Sequence, residues 1–231
     1  MSVLIDFIGT PGSGKSTVSH EIALKLKSSG FTVSEPTYNS ERAQSAKARI
    51  IKKLTATVFC TLNVKKSPLK IFKRIDKSCF SSGKERFKQY VNLCHVISSI
   101  SACKKSDFII ADQGIAQAAV SLCNHCDINR IPTDIVSALA SKANIAPTVI
   151  YITTGDIKRN LDYLASRSGG ASRVDKIKSD EGKIAALLEI QSVIDVILTQ
   201  CGEYMTFVTD KPLDCVQSQT EIAQIIANIT C

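Results

Sequence analysis

The sequence predicts an α/β protein built on a five-stranded parallel sheet with helices on both faces. Short apolar segments that resemble strands recur along the chain, and each is separated from the next by a stretch with helical periodicity. This alternation is typical of parallel strands connected by helices. The predicted strands cover residues 3–8, 31–35, 108–112, 148–153 and 203–209.

The composition favours one globular domain over residues 1–231. Hydrophobic residues make up 44% of the chain and charged residues 22%, which suits a single substantial core and excludes a disordered or collagen-like protein. The connection between the second and third predicted strands is too long for an ordinary crossover. We therefore predict that residues 40–105 form a helical cap inserted beside the sheet.

Basic charge is concentrated in this cap. Residues 47–105 carry 15 Lys and Arg residues against two acidic ones, whereas the whole chain has a net charge of only +8. The remainder of the chain is therefore acidic overall. A segment of this charge is expected to meet an anionic partner.

The strongest motif is the sequence GTPGSGKST at residues 9–17, called the glycine loop below. It follows the first predicted strand, precedes a predicted helix, and matches the pattern G-x-x-x-x-G-K-[ST] of phosphate-binding loops. In such loops, backbone N–H groups surround phosphate oxygens, the lysine reaches the β- and γ-phosphates and the serine hydroxyl binds Mg²⁺. The predicted nucleotide-binding residues are Thr10, Pro11, Gly12, Ser13, Gly14, Lys15, Ser16 and Thr17.

Two carboxylates end predicted strands at the edge where open parallel sheets bind ligands. Asp112 is predicted to bind Mg²⁺ together with Ser16, and its alternative role is that of a helix N-cap. Glu35 precedes Pro36 and is predicted to bind an acceptor hydroxyl or to act as its base, the alternative being a solvated turn residue. Either carboxylate, Asp112 or Glu35, is a candidate to accept the proton.

Residues 156–175 are predicted to form a short lid that carries arginines. Arg159 and Arg167 lean toward one side of a predicted helix, and Arg173 follows on a loop that contains glycines. Guanidinium groups in a mobile segment can neutralise the charge that develops during phosphoryl transfer. The alternative is an exposed helix end with a linker. Lys211 follows the last strand and is predicted to border the nucleotide.

The nine cysteines are scattered and odd in number, which favours reduced and mostly buried thiols. Cys123 and Cys126 form the only close pair, and a metal or redox site there is not favoured because no second pair accompanies it. No apolar run reaches the ~18 residues needed to cross a membrane. We therefore expect a cytoplasmic protein without a membrane partner.

Taken in order, these motifs resemble the P-loop kinases of small molecules. The resemblance covers nearly the whole chain and is greatest to the thymidylate kinase and deoxynucleoside kinase branch of the nucleoside monophosphate kinase-like group. It implies the strand order 2-3-1-4-5 and the cofactors ATP and Mg²⁺. It also implies catalytic roles for Lys15, Asp112, Glu35, Arg167 and Arg173, with Arg159, Arg167 and Lys211 at the nucleotide.

The sequence departs from thymidylate kinases at two positions. Those enzymes usually have arginines where this chain has Ser34 and Gln113. Both substitutions remove groups that would hold a monophosphate acceptor. We therefore expect a divergent kinase that acts on another nucleotide, nucleoside or sugar-like hydroxyl, and the basic cap indicates an anionic acceptor.

A second hypothesis is a nucleotide-dependent switch ATPase whose basic cap binds nucleic acid or another anionic partner. The few aromatic residues of the cap look like helix core instead of platforms for base stacking, which disfavours nucleic acid. The chain also lacks the guanine-specifying motif of GTPases. A homodimer is compatible with the sequence.

Overall fold

The computed structural model describes residues 2–38, 46–63, 67–145, 149–153, 156–166, 174–200, 205–209 and 227. Its strands pair in the order β2-β3-β1-β4-β5, and every pairing is parallel. The predicted α/β fold with a parallel sheet and many helices is therefore confirmed. The strands are β1 (Val3–Gly9), β2 (Val33–Ser34), β3 (Phe108–Ala111), β4 (Val149–Thr153) and β5 (Met205–Thr209).

The side chains of β1 alternate between two cores. Leu4 and Ile8 are buried in the larger core, whereas Ile5 and Phe7 are buried in the smaller one. Successive side chains of a strand point to opposite faces, so a strand covered on both faces is apolar throughout. The exception is Asp6, a fully buried carboxylate on the face of Leu4 and Ile8.

Eight α-helices occur among the described residues. Helix α1 packs on the smaller core through Val18, Ile22 and Leu26. The helices that pack on the larger core include α4, α5, α6 and α8. The bounds are α1 (Lys15–Ser28), α2 (Ala46–Leu62), α3 (Leu69–Arg74), α4 (Gly83–Ala102), α5 (Ile115–Cys123), α6 (Ile135–Ala143), α7 (Ile157–Ser166) and α8 (Asp180–Thr199).

Helices α2, α3 and α4 lie within the segment predicted as the cap. Lys53 on α2 donates a hydrogen bond to Asn92 Oδ1 on α4 at 2.9 Å, and the Cys60 thiol points at the carbonyl of Cys94. Helix α4 begins at a capping box, because Ser82 accepts a bond from the Glu85 N–H while the Glu85 carboxylate accepts one from the Ser81 N–H.

One expectation about the cysteines is wrong. The structure joins Cys79 and Cys126 in a disulfide, with their Cα atoms 4.7 Å apart and a separation of 47 positions in sequence. The spacing of cysteines does not reveal this pair, because only the packing of a short turn (Lys77–Cys79) beside the end of α5 brings it together. Cys60, Cys94 and Cys123 are free and buried, as expected.

The apolar spacing of residues 220–229 predicts a closing helix, and these residues lie outside the described part of the chain apart from Ala227. None of the helices in the part of the chain that the structure describes is long and apolar enough to cross a bilayer.

Candidate functional site

The glycine loop connects β1 to α1 through two glycines with left-handed backbone. Gly12 has φ of 86° and Gly14 has φ of 84°, a region that residues with a Cβ rarely adopt. Lys15 folds over the loop, and its Nζ donates to the carbonyl oxygens of Gly9 at 2.7 Å and Thr10 at 2.8 Å. The loop therefore gathers backbone donors and one ammonium group at the N-terminus of a helix, as a phosphate site requires.

Asp112 lies opposite the start of α1 and is 2% exposed. Its Oδ2 accepts a hydrogen bond of 2.8 Å from Ser16 Oγ, and its Oδ1 accepts one from Thr37 Oγ1. Strand β3 ends just before Asp112, so the sheet presents this carboxylate to the glycine loop. The structure thus brings together Ser16 and Asp112, which are 96 residues apart in sequence.

The two side chains fit a magnesium ion by their chemistry. Mg²⁺ prefers oxygen ligands and is usually held by one or two protein oxygens together with water and phosphate oxygens. A serine hydroxyl and a carboxylate next to a phosphate-binding loop are such a set. Among the described residues there is no cluster of three or more His, Cys, Asp or Glu side chains that would form an all-protein metal site.

Asp6 holds the start of the helix that follows Asp112. Its Oδ2 accepts a 2.8 Å hydrogen bond from the Ala116 N–H at the N-terminus of α5, and its Oδ1 is buried with no hydrogen-bond partner within the described ranges. Burial raises the pKa of Asp6 to about 7, against the opposing effect of the N–H groups of Ala116, Ile115 and Gly114. A side chain at Gly114 would collide with this carboxylate, so the residue must be glycine.

The Glu35 carboxylate contacts α1. One oxygen lies 2.8 Å from His20 Nδ1, and the other lies 2.6 Å from Lys27 Nζ. The His20 ring in turn stacks on Tyr38 at a centroid distance of 4.2 Å. Glu35 is 3% exposed and does not line the neighbouring cavity, so its two oxygens serve the packing of β2 on α1 in this structure.

A cavity of about 150 Å³ opens between α2, α4 and α5. Thr37 and Gln113 line it beside Asp112, and Gln117 connects it to the glycine loop because Gln117 Oε1 accepts a 3.1 Å hydrogen bond from the Gly9 N–H. Its far side is lined by polar residues of the cap: Lys52, Lys53, Gln89, Asn92 and His95. The cavity therefore lies between the Asp112 carboxylate and the basic cap.

Helix α7 supports the glycine loop from outside. Asn160 is 1% exposed, and its Nδ2 donates a 2.9 Å hydrogen bond to Thr10 Oγ1. Arg159, a predicted nucleotide-binding residue, places its guanidinium 5.5 Å from the centre of the Tyr163 ring. Arg167, Arg173 and Lys211 lie outside the described residues.

Several residues of the site were not found from the sequence. Thr37 is an ordinary turn residue by pattern, and the polar residues of α4 are interrupted by apolar ones, so neither gave a signal. Asp6 does carry a sequence signal. A carboxylate inside an otherwise apolar strand needs a partner once it is buried. Asn160 has no sequence signal, because its contact with Thr10 forms only when α7 packs on the glycine loop.

No protein-family model matches the chain, and the curated proteins include no significant match. Among solved structures, deoxyadenosine kinase from M. mycoides with bound dATP is 17% identical, with 99% of this chain and 100% of that chain covered and a TM-score of 0.53. The structure of the same enzyme with the products dCMP and a flexible dCDP is 18% identical, with 99% and 98% covered and a TM-score of 0.51. The resemblance to the deoxynucleoside kinase-like fold is therefore confirmed over the whole chain.

Proposed function

We propose that this protein transfers the γ-phosphoryl group of Mg-ATP to a small-molecule acceptor of the nucleoside or nucleotide type. The observation that carries the proposal is the hydrogen bond between Ser16 of the glycine loop and Asp112 at the edge of a polar cavity. A glycine loop, a carboxylate suited to Mg²⁺ and a cavity thus lie side by side. The fold shared with deoxyadenosine kinases supports the same reaction class.

The roles follow from what phosphoryl transfer requires, which is mainly alignment and neutralisation of charge. The backbone N–H groups of residues 10–17 hold the phosphates, and Lys15 leaves the loop carbonyls to contact the transferring group. Ser16 and Asp112 would hold Mg²⁺, which would supply charge neutralisation at the phosphate oxygens. The reacting hydroxyl lies beside Asp112, at the end of the cavity that Thr37 and Gln113 line.

The proposal assigns different roles to the two predicted carboxylates. Asp112 is the group at the reacting centre, because it contacts Ser16. Glu35 is a positioning residue that acts through α1, because one of its oxygens contacts His20 and the other contacts Lys27 of that helix. We further propose that residues 40–105 form the acceptor-binding cap. Residues 156–175 would close over the phosphates with Arg159, Arg167 and Arg173, and Lys211 would contact the nucleotide.

The test is label transfer from radiolabelled Mg-ATP to a panel of nucleosides, nucleotides and sugars. We expect at least one acceptor to be labelled. We also expect Lys15→Ala to lower the rate by about 100-fold or more, because one charged contact to the transferring phosphoryl is lost. Lys84→Ala, an exposed lysine on α4 away from the cavity, is the matched control. The proposal fails if no acceptor is labelled, or if Lys15→Ala and Lys84→Ala behave alike.

A further inference from the structure

Helix α2 has an apolar side that is open to solvent. The outer stripe, as we call it below, consists of Ile50, Ile51, Leu54, Val58 and Leu62. Four of these side chains follow one another at every fourth position, which places them in one row along the helix surface. Each is about half exposed or more, and Leu62 is 78% exposed. A continuous apolar row of this kind marks a surface that another molecule covers.

The opposite side of α2 packs on the protein. Ala56 and Cys60 are buried, and Lys53 donates a hydrogen bond to α4. At 3.6 residues per turn, these positions lie on the side of the helix opposite the centre of the outer stripe. No side chain of the stripe lines the cavity. The stripe therefore belongs neither to the core nor to the candidate site.

The charge around the stripe is positive. The sequence of α2 contains four basic residues and no acidic one. Lys47, one turn before Ile51, and Lys52 are both exposed. The two acidic residues between positions 47 and 105, Asp76 and Glu85, both serve contacts within the protein. This face therefore attracts an anionic surface.

The composition of the stripe favours a lipid surface over a protein. The stripe consists of Leu, Ile and Val only, whereas the contacts that dominate protein interfaces are enriched in Trp, Tyr and Arg. A second copy of the chain is disfavoured as well, because a segment with 15 basic and two acidic residues would face itself. An apolar face accompanied by lysines is typical of helices that lie in the interface of an anionic membrane.

We propose that α2 docks the protein on an anionic lipid bilayer, with the outer stripe in the headgroup region and Lys47 against the lipid phosphates. Such helices bury their apolar face about 5–10 Å deep in the interface. Helix α2 is about 25 Å long, so the whole stripe can contact the bilayer at once. A surface-bound helix needs no spanning segment. This partner therefore replaces the expectation of no membrane partner, which rested on the short apolar runs alone.

The test is sedimentation of the full chain with vesicles of phosphatidylcholine, either alone or mixed with an equal amount of phosphatidylglycerol. Each lysine near an anionic surface strengthens binding by about fivefold, so we expect at least about tenfold tighter binding to the mixed vesicles. Raising the salt from about 0.1 M to about 0.5 M should release most of the protein, because the charges are screened. Equal binding to both vesicles overturns the proposal. Binding to neither also overturns it and leaves a protein as the occupant of the stripe.

Variants connect the binding to the stripe. Val58→Asp and Leu62→Asp should each weaken binding to the mixed vesicles by about tenfold or more, because a carboxylate would enter the apolar interface. Lys47→Glu should weaken it by about fivefold or more. The matched control is Leu188→Asp, which places the same charge at a half-exposed leucine of α8 and should bind as the original protein does. Equal losses in Val58→Asp and Leu188→Asp would reduce the effect to overall charge and overturn the proposal.

Sedimentation velocity without vesicles separates a lipid surface from a second copy. We expect Val58→Asp to leave the molecular mass in solution unchanged. A dimer that this variant converts to a monomer would assign the stripe to a second copy and overturn the proposal. Label transfer from Mg-ATP does not depend on the vesicle result, so the docking proposal and the proposed function are tested separately.

Discussion

At the scale of single residues, each oxygen of Asp112 accepts a hydrogen bond from a different part of the chain. Ser16 belongs to the glycine loop, and Thr37 follows β2. The carboxylate therefore connects the glycine loop to the segment that follows β2. Glu35 lies only two residues before Thr37, yet it contacts α1.

The two carboxylates are therefore expected to respond differently to neutralisation. Asp112→Asn should lower kcat by about 100-fold or more and raise the Mg²⁺ concentration needed for half-maximal rate, because a metal ligand loses its charge. Glu35→Gln should mainly lower the free energy of unfolding, by about 1–3 kcal/mol, because a buried acceptor of two hydrogen bonds is weakened. Steady-state kinetics over a magnesium series and chemical denaturation measure the two effects. Equal losses of kcat with no change in stability would show that Glu35 acts at the reacting centre.

Asp6 gives a prediction about pH. An unfolded carboxyl has its pKa near 3.8, whereas the folded Asp6 has a pKa of about 7. Between these values the folded protein holds a proton that the unfolded chain has released, so this group's contribution to stability is full below pH 4 and is lost as the pH rises through 7. Asp6→Asn should remove this component of the pH dependence, as measured by denaturation at pH 5, 6, 7 and 8.

The control for Asp6 is Asp195→Asn on the exposed face of α8. This variant should keep the pH dependence of the original protein. A pH dependence that is the same with and without the Asp6 carboxyl would contradict the assignment.

At the scale of elements, the disulfide between Cys79 and Cys126 ties the turn after α3 to the end of α5. It is joined there by two exposed ion pairs, Arg130 with Asp76 and Arg74 with Asp134. The cap is therefore attached to the sheet domain by a covalent link as well as by packing. Part of the basic charge of the cap is also used in these internal pairs.

Removing the disulfide should cost stability. Closure of a loop of 47 residues restricts the unfolded chain, which corresponds to about 4 kcal/mol in the chain-entropy model. The double variant Cys79→Ser, Cys126→Ser should unfold at lower denaturant concentration than the oxidised protein, and dithiothreitol should have no further effect on it. Cys103→Ser, which alters a free cysteine, is the control. Equal stability of the oxidised and reduced forms would show that the link contributes nothing.

The sequence predicted the bounds of a helix or strand well where its apolar spacing and end-capping residues were clear. The apolar spacing of residues 85–103 predicts a helix there, and helix α4 runs over Gly83–Ala102 with Ser82 capping its start. Strand β2 is only Val33–Ser34, although residues 31–35 were expected, since Thr32 forms hydrogen bonds with the Asp107 side chain instead of continuing the strand.

The same limit applies to helix faces and to the site. The apolar spacing predicts Phe87 on the packed face of α4 and Leu188 on that of α8, yet both are about half exposed or more. Apolar periodicity predicts which face of a helix is buried, but not how many positions on that face the neighbouring elements cover. The polar lining of the cavity depends on how α2 and α4 pack, so no spacing in the sequence could have grouped Lys53 with Asn92.

At the scale of the whole molecule, the larger core connects the cap to the sheet. Cys60 of α2 and Cys94 of α4 belong to the same cluster of buried residues as Leu4 and Ile8 of β1. The cap therefore does not form an independent unit within the described ranges. A side of α2 is left exposed and apolar, with Ile51, Val58 and Leu62 each more than half accessible.

Helix α7 packs directly against the glycine loop. Asn160 bonds to Thr10, and its backbone lies so near Gly12 that a Cβ on that glycine would approach the Asn160 carbonyl oxygen to 2.5 Å. The chain continues from α7 directly into the segment predicted to carry Arg167 and Arg173. A shift of the glycine loop on phosphate binding would therefore displace α7, the helix that precedes those arginines. If nucleotide binding shifts the equilibrium of the segment with Arg167 and Arg173 by some factor, thermodynamic reciprocity requires that fixing this segment in its shifted form raises nucleotide affinity by the same factor. The glycine loop and α7 therefore form one packed unit.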